Sequence, residues 1–229
     1  MKLSSQPFAA VIFDMDGVLI DSEPLWKIAM YEVFEPLGGR LEKTDFQQTV
    51  GLRIDQVVHH WNLIHNWKLT DEKRIVQAIM ARMIALIREN PFALEGVYEI
   101  LQYLNKQKIL VGLATSSPVV LLEAVLDALQ LRPYFQALHS AEHLTYGKPH
   151  PEVYLQAAKT LQLRPSECLV VEDSLNGVIS GKSAGMTVVC IPEKTHQSNP
   201  KLILADYHYT SLAEFLEILR TENSVESIG

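Results

Sequence analysis

The spacing of apolar positions along this chain changes character twice. Ala9-Ala10-Val11-Ile12-Phe13 is a short unbroken apolar run, rich in β-branched and aromatic residues, and predicts a strand buried on both faces. Helical spacing follows. Pro24-Leu25-Trp26 opens one helix, with Asp21 and Ser22 as candidate caps, and Gly38-Gly39 closes it. Further helical patterns cover Asp45–Thr49, Arg53–His65 and Thr70–Arg88, the last with Thr70 as predicted N-cap. Beyond Pro91 strands and helices alternate. Val97–Lys106, Pro118–Leu129, Pro151–Leu161, Asn176–Ala184 and Ser211–Arg220 read as helices. Ile109–Ala114, Gln136–Ser140, Cys168–Val171 and Thr187–Ile191 read as strands, with Tyr207–Thr210 as an edge strand and Glu222–Gly229 as a frayed tail.

Alternation of this kind predicts an α/β fold: a doubly wound parallel sheet, Rossmann-like, covered by helices on both faces. The purely helical stretch after the first strand reads as an inserted cap. The expected division is a catalytic core of residues 1–17 and 93–229 and a helical cap of residues 18–92. Ligands of such sheets bind at the carboxyl ends of the strands.

Composition narrows the function. Hydrophobic residues make up 48% of the chain, enough for a sizeable core, and the net charge of −7 argues against a nucleic-acid or anionic-membrane surface. No segment has the apolar length of a membrane span. The first apolar run ends in Asp14 and Asp16, which is wrong for a signal peptide, so a cytoplasmic protein is expected, and the net charge and modest size fit a monomer without excluding a dimer. The two cysteines, Cys168 and Cys190, fall inside predicted strands and read as buried thiols. The histidines show no metal-ligand set and read as surface or packing residues.

The candidate chemistry lies at predicted strand ends. Asp14 and Asp16 follow the first strand, with Gly17 to turn the chain. Two carboxylates there need a cationic partner and suit a hard, oxygen-seeking ion such as Mg²⁺. Thr115 and Ser116 follow a second strand, at a helix start where a phosphate oxygen can be held. Lys148 stands between Gly147 and Pro149. Glu172 and Asp173 end a third apolar strand, and Asn176 and Gly177 follow in the next turn.

These four segments, in this order, resemble the motifs of the haloacid dehalogenase superfamily, and the insertion resembles its β-phosphoglucomutase-like subgroup. Across nearly the whole chain the likeness is to bacterial phosphatases of the 2-deoxyglucose-6-phosphate and hexitol-phosphate type, most of all in Asp14–Trp26 and Gly51–Val58. The resemblance implies a hydrolase that uses Mg²⁺, with Mn²⁺ or Co²⁺ as substitutes, on a small sugar phosphate. Asp14 would be the nucleophile and Asp16 the general acid and base. Thr115, Ser116, Lys148 and Asn176 would serve the phosphate. The metal would be held by Asp14, Asp16 (through its carbonyl), Asp173 and Glu172. Gly51, Arg53 and Trp26 would face the substrate from the cap. The alternative is a sugar-phosphate mutase, but mutases of this subgroup carry a histidine and a lysine where Trp26 and Pro118 stand. A phospho-aspartate receiver domain is a more distant alternative, and the inserted cap argues against it.

Overall fold

The computed structural model describes residues 2–3, 6–38, 45, 49, 52–192 and 199–226. Two short strands, β1 (Lys2–Leu3) and β2 (Gln6–Pro7), pair antiparallel before β3 (Ala10–Phe13) enters the main sheet. The insertion supplies three helices, α1 (Glu23–Phe34), α2 (Ile54–His65) and α3 (Glu72–Glu89). Then come α4 (Val97–Lys106), β4 (Leu110–Thr115), α5 (Val119–Ala128), β5 (Ala137–Ser140) and α6 (Glu152–Thr160). The chain ends through β6 (Cys168–Glu172), α7 (Leu175–Ser183), β7 (Thr187–Cys190), β8 (Tyr207–His208) and α8 (Leu212–Glu226). The main sheet is parallel, in the order β5-β4-β3-β6-β7-β8. The fold is the expected Rossmann-like α/β architecture.

Alternation along the strands divides the core. Val11, Phe13, Val111, Leu113, Leu169 and Val171 point to one face, where α4, α5 and α8 pack. Ala10, Ile12, Ala114, Cys168, Val170 and Cys190 point to the other, against α6 and α7. Side chains this completely buried contribute roughly 1.5–3 kcal/mol each for the larger aliphatic and aromatic residues. Burial also pushes the two thiols up, Cys168 to about 11 and Cys190 to about 12.

Register puts the chemistry on one edge. Phe13 lies beside Leu113 and Val171. The next residue, Asp14, therefore emerges level with the ends of β4 and β6, its N–H donating to the Val171 carbonyl at 2.9 Å. The chain enters and leaves the helical insertion along adjacent paths. Ile20 bridges Ala93, and the Leu94 N–H donates to the Leu19 carbonyl at 3.1 Å. Inside the insertion Trp61 is buried, and Phe34 and Trp67 lie with ring centroids 4.9 Å apart.

Helix ends differ from expectation in informative ways. Ser22 precedes α1 without capping it, because its hydroxyl is engaged elsewhere. Asp71, not Thr70, caps α3, accepting from the Arg74 N–H at 3.1 Å. Gly38 takes the left-handed conformation (φ 79°) after a short 3₁₀ turn, as a helix-ending glycine does. The C-terminal helix runs on to Glu226 rather than fraying at Glu222. Gly39 and most of the predicted Asp45–Thr49 helix lie outside the described residues. No helix among the described residues is long and apolar enough to cross a membrane.

Candidate active site

At the carboxyl edge of the sheet, Lys148 is buried beneath two carboxylates. Its Nζ lies 2.9 Å from Asp14 Oδ1 and 2.6 Å from Glu172 Oε1, donates to the Ala114 carbonyl at 3.0 Å, and sits 4.8 Å from the centroid of the Tyr154 ring. The Lys148–Pro149 peptide is cis. Glu172 is fully buried and fully bonded. Oε1 also accepts from the Tyr154 hydroxyl at 2.5 Å, and Oε2 accepts from the Asp173 N–H (3.1 Å) and the Ser174 N–H and hydroxyl (3.4 and 3.3 Å). An ammonium is held by two anions, and one anion by a fan of donors.

This burial decides the titration of the group. Loss of water pushes Asp14 up to about 7; Lys148 opposes the shift, while Glu172 and Asp16 add to it. Burial also works to lower the pKa of Lys148, but the Asp14 and Glu172 charges outweigh it and hold the ammonium above its usual range. Tyr154 is raised well above the ordinary phenol, first by burial and then by the Glu172 and Asp14 charges, and keeps its proton.

Across the turn from Asp14, Asp16 is gripped by three donors from two parts of the fold. Oδ1 accepts from the Ser22 hydroxyl at 2.5 Å and from the Trp26 indole N–H at 3.0 Å, both on the α1 side. Oδ2 accepts from the Ser117 hydroxyl at 2.7 Å, in the loop after β4. Gly17 makes the turn with φ 71°, and a Cβ there would stand 2.1 Å from Asp173 Oδ2. Thr115 is buried, its hydroxyl accepting from the Ser117 N–H at 3.0 Å.

A cavity of ≈ 760 Å³, open mouth included, lies over these groups. Asp14, Asp16, Asp173, Thr115, Ser116 and Ser117 form its floor, and Glu23, Trp26, Met30, Leu52, Ile54 and Val57 its roof. Oxygen atoms of Asp14, Glu172 and Asp173 lie within 4.8 Å of one another, an all-carboxylate set that fits a hard divalent ion.

Two sequence-predicted residues stand apart from the cavity. The Arg53 guanidinium donates to the Ala141 and Leu144 carbonyls (3.2 and 2.6 Å) and to both carboxylate oxygens of Asp55 (3.0 and 2.8 Å). It joins the insertion to the loop before Lys148. Asn176 lies in the first turn of α7, outside the cavity lining. Gly51 falls outside the described residues. Ser22, read from the sequence as a helix cap, serves Asp16 instead, while Ser117 and Tyr154 join the site without a sequence signal, since each is brought there only by tertiary packing.

The profile of the haloacid dehalogenase-like hydrolases matches residues 8–185. The chain belongs to that family. It is 44% identical over 206 residues to hexitol phosphatase B of Escherichia coli (strain K12), covering 90% of this chain and 93% of that protein. It is 33% identical over 217 residues to a probable pseudouridine-5'-phosphatase of Drosophila melanogaster, covering 89% and 90%. The β-phosphoglucomutase of Clostridium difficile has the same fold, with a TM-score of 0.83 and 23% identity over 96% of this chain and 99% of that one. Within the family, the protein is an enzyme of the phosphoric monoester hydrolase class.

Proposed function

We propose that the protein is a Mg²⁺-dependent phosphatase of small sugar phosphates, hexose 6-phosphates such as 2-deoxyglucose 6-phosphate and hexitol phosphates, acting as a monomer through an aspartyl phosphate on Asp14. The observation that carries the reading is the pairing at the sheet edge: Asp14 on a buried ammonium, with Asp16 held separately beneath the insertion. The 44% identity to hexitol phosphatase B supports the sugar-phosphate class.

Asp14, Asp173 and the backbone carbonyl of Asp16 would hold the ion, with Mn²⁺ or Co²⁺ as substitutes. Bound there, it supplies positive charge to the phosphate oxygens and lowers the repulsion between two anions. Glu172 is engaged by Lys148, Tyr154 and the start of α7, and its part is to fix the lysine. Asp14 attacks phosphorus in line, and the bond to the sugar oxygen breaks. Asp16 gives that oxygen its proton. It then takes a proton from the water that attacks the aspartyl phosphate, and the bond between phosphorus and Asp14 breaks to release phosphate. The Ser22 and Ser117 hydroxyls can donate or accept, so they support Asp16 with and without its proton. Lys148, Thr115, Ser116 and the backbone beside them stabilise the phosphoryl oxygens.

Residues 18–92 act in this reading as a cap on a core of residues 1–17 and 93–229, excluding water and shaping the sugar site. The test is phosphate release from a panel of sugar phosphates with and without Mg²⁺, with products checked for isomerised sugar. Net release supports the hydrolase. Conversion of β-glucose 1-phosphate to the 6-phosphate without release would make the enzyme a mutase instead.

A further inference from the structure

Tyr154 is fully buried in the first turn of α6, within the apolar cluster that holds Val153, Ala157 and Ala158. A phenylalanine ring would pack in that cluster equally well. A hydroxyl buried there costs free energy unless it is bonded, so its partner explains its presence. The partner is Glu172: the phenol donates to Oε1 at 2.5 Å, a short bond to a charged acceptor. The ring of the same residue lies over Lys148, 4.8 Å from Nζ to the centroid.

Counting donors and acceptors shows what this bond does. An ammonium has three N–H bonds. Two go to the Ala114 carbonyl (3.0 Å), fixed in β4, and to Glu172 Oε1 (2.6 Å). The third is left for the Asp14 side, where Oδ1 lies 2.9 Å from Nζ. Glu172 divides its partners by oxygen. Oε2 has the Asp173 and Ser174 N–H groups and the Ser174 hydroxyl, whereas among the described residues Oε1 has Lys148 and Tyr154 alone. Without the phenol, Oε1 would keep a single donor, and in a low dielectric its pull on the ammonium would be unshared. The lysine would then close on Glu172 and turn from Asp14. Its flexible stem permits that movement, because a lysine is a point charge placed by its partners.

We propose that Tyr154 is a positioning residue for phosphoryl transfer: its hydroxyl shares Glu172 Oε1 with Lys148 and its ring covers the ammonium, which leaves the third N–H of the lysine aimed at the phosphoryl group on Asp14. The inference rests on the phosphatase reading and adds to it a residue that does not line the cavity. Tyr154 acts on the reaction through Lys148.

The test is Tyr154→Phe, which removes one oxygen and keeps the ring. Parent and variant are assayed with Mg²⁺ on sorbitol 6-phosphate and p-nitrophenyl phosphate, at least about 15 °C below the variant's Tm so that both are folded. Orthovanadate, which mimics the five-coordinate phosphoryl group, is the inhibitor. In the variant kcat is expected to fall about 10-fold or more, with KM changed by less than about 3-fold. The two esters should lose the same factor within about 3-fold, since the lysine acts on the phosphoryl group they share and not on the leaving group. Orthovanadate should inhibit the variant about 10-fold more weakly. A hydroxyl that serves packing alone would lower Tm and leave kcat and orthovanadate inhibition as in the parent. That result overturns the inference and leaves the phosphatase reading standing. A loss carried by KM, or confined to the sugar phosphate, overturns it too, because it places the effect at the leaving group. If the parent hydrolyses neither ester, both readings fail.

Discussion

Asp14 illustrates how one residue takes its properties from its neighbours. In the folded protein burial pushes it up to about 7 from the usual 3.8. A raised carboxyl binds its proton more tightly in the folded state than in the unfolded one. Its contribution to stability is thus complete below about pH 4 and is lost as pH rises through about 7. The metal-free parent should lose thermal stability between pH 5 and 8. Asp14→Asn, which has no charge to bury, should lose less, so the difference in Tm between the two widens with pH. Mg²⁺ should restore the parent more at pH 8 than at pH 5, since it binds the ionised form. Thermal unfolding at the two pH values, with and without chelator, checks both statements. Gly177 gives a second residue-scale case. Alanine improves intrinsic helix propensity by about 1 kcal/mol, but its Cβ would stand 1.8 Å from Glu172 Cδ. The clash dominates: Gly177→Ala should destabilise by about 2 kcal/mol or more in urea unfolding and lower activity by displacing the carboxylate that holds Lys148.

The elements are legible in the sequence to different degrees, and for physical reasons. Strand ends carry their own signal: an apolar run that stops at a carboxylate locates Asp14 and Glu172-Asp173 without tertiary information. Helix bodies are equally plain, since their apolar period survives any environment. The caps are less so, because Ser22 and Asp71 compete with neighbours for the same backbone donors, and tertiary demand takes Ser22 for Asp16. Arg53 is conspicuous in the sequence, but its partner is not. Nothing in Gly51-Leu52-Arg53 tells that the guanidinium meets carbonyls at Ala141 and Leu144, far along the chain. Bonds from a charged donor contribute about 1.5–3 kcal/mol each. Arg53→Ala should therefore loosen the insertion from the loop that precedes Lys148, seen as faster proteolysis of the 141–147 segment, and Arg53→Lys should not restore it because it lacks the planar fork. Unchanged proteolysis with a raised KM would point instead to a substrate contact. Within the insertion, Trp61→Ala should cost about 3–5 kcal/mol, measured by chemical unfolding, as expected for a large buried aromatic.

At the scale of the whole molecule, the sheet supplies a rigid floor and the insertion a roof of different chemistry. The floor gathers Asp14 from the end of β3, Glu172 and Asp173 from the end of β6, and Lys148 from the loop between β5 and α6, and the family's shared reaction is legible there from sequence. The roof holds Trp26, Glu23 and the apolar residues that shape the space above. Its orientation depends on how three helices pack over the sheet, so the substrate's identity is much less legible than the reaction. Ser117 and Trp26 reach Asp16 from floor and roof respectively, which couples the position of the insertion to the geometry of the acid.

A metal-assisted attack by Asp14 is tested by phosphate release from a hexitol phosphate and from 2-deoxyglucose 6-phosphate, measured with Mg²⁺ and with chelator, for the parent and for Asp14→Asn. The expected result is release that needs the ion and falls by on the order of 1,000-fold or more in the variant. Release that persists in Asp14→Asn, or that is indifferent to Mg²⁺, would contradict the mechanism.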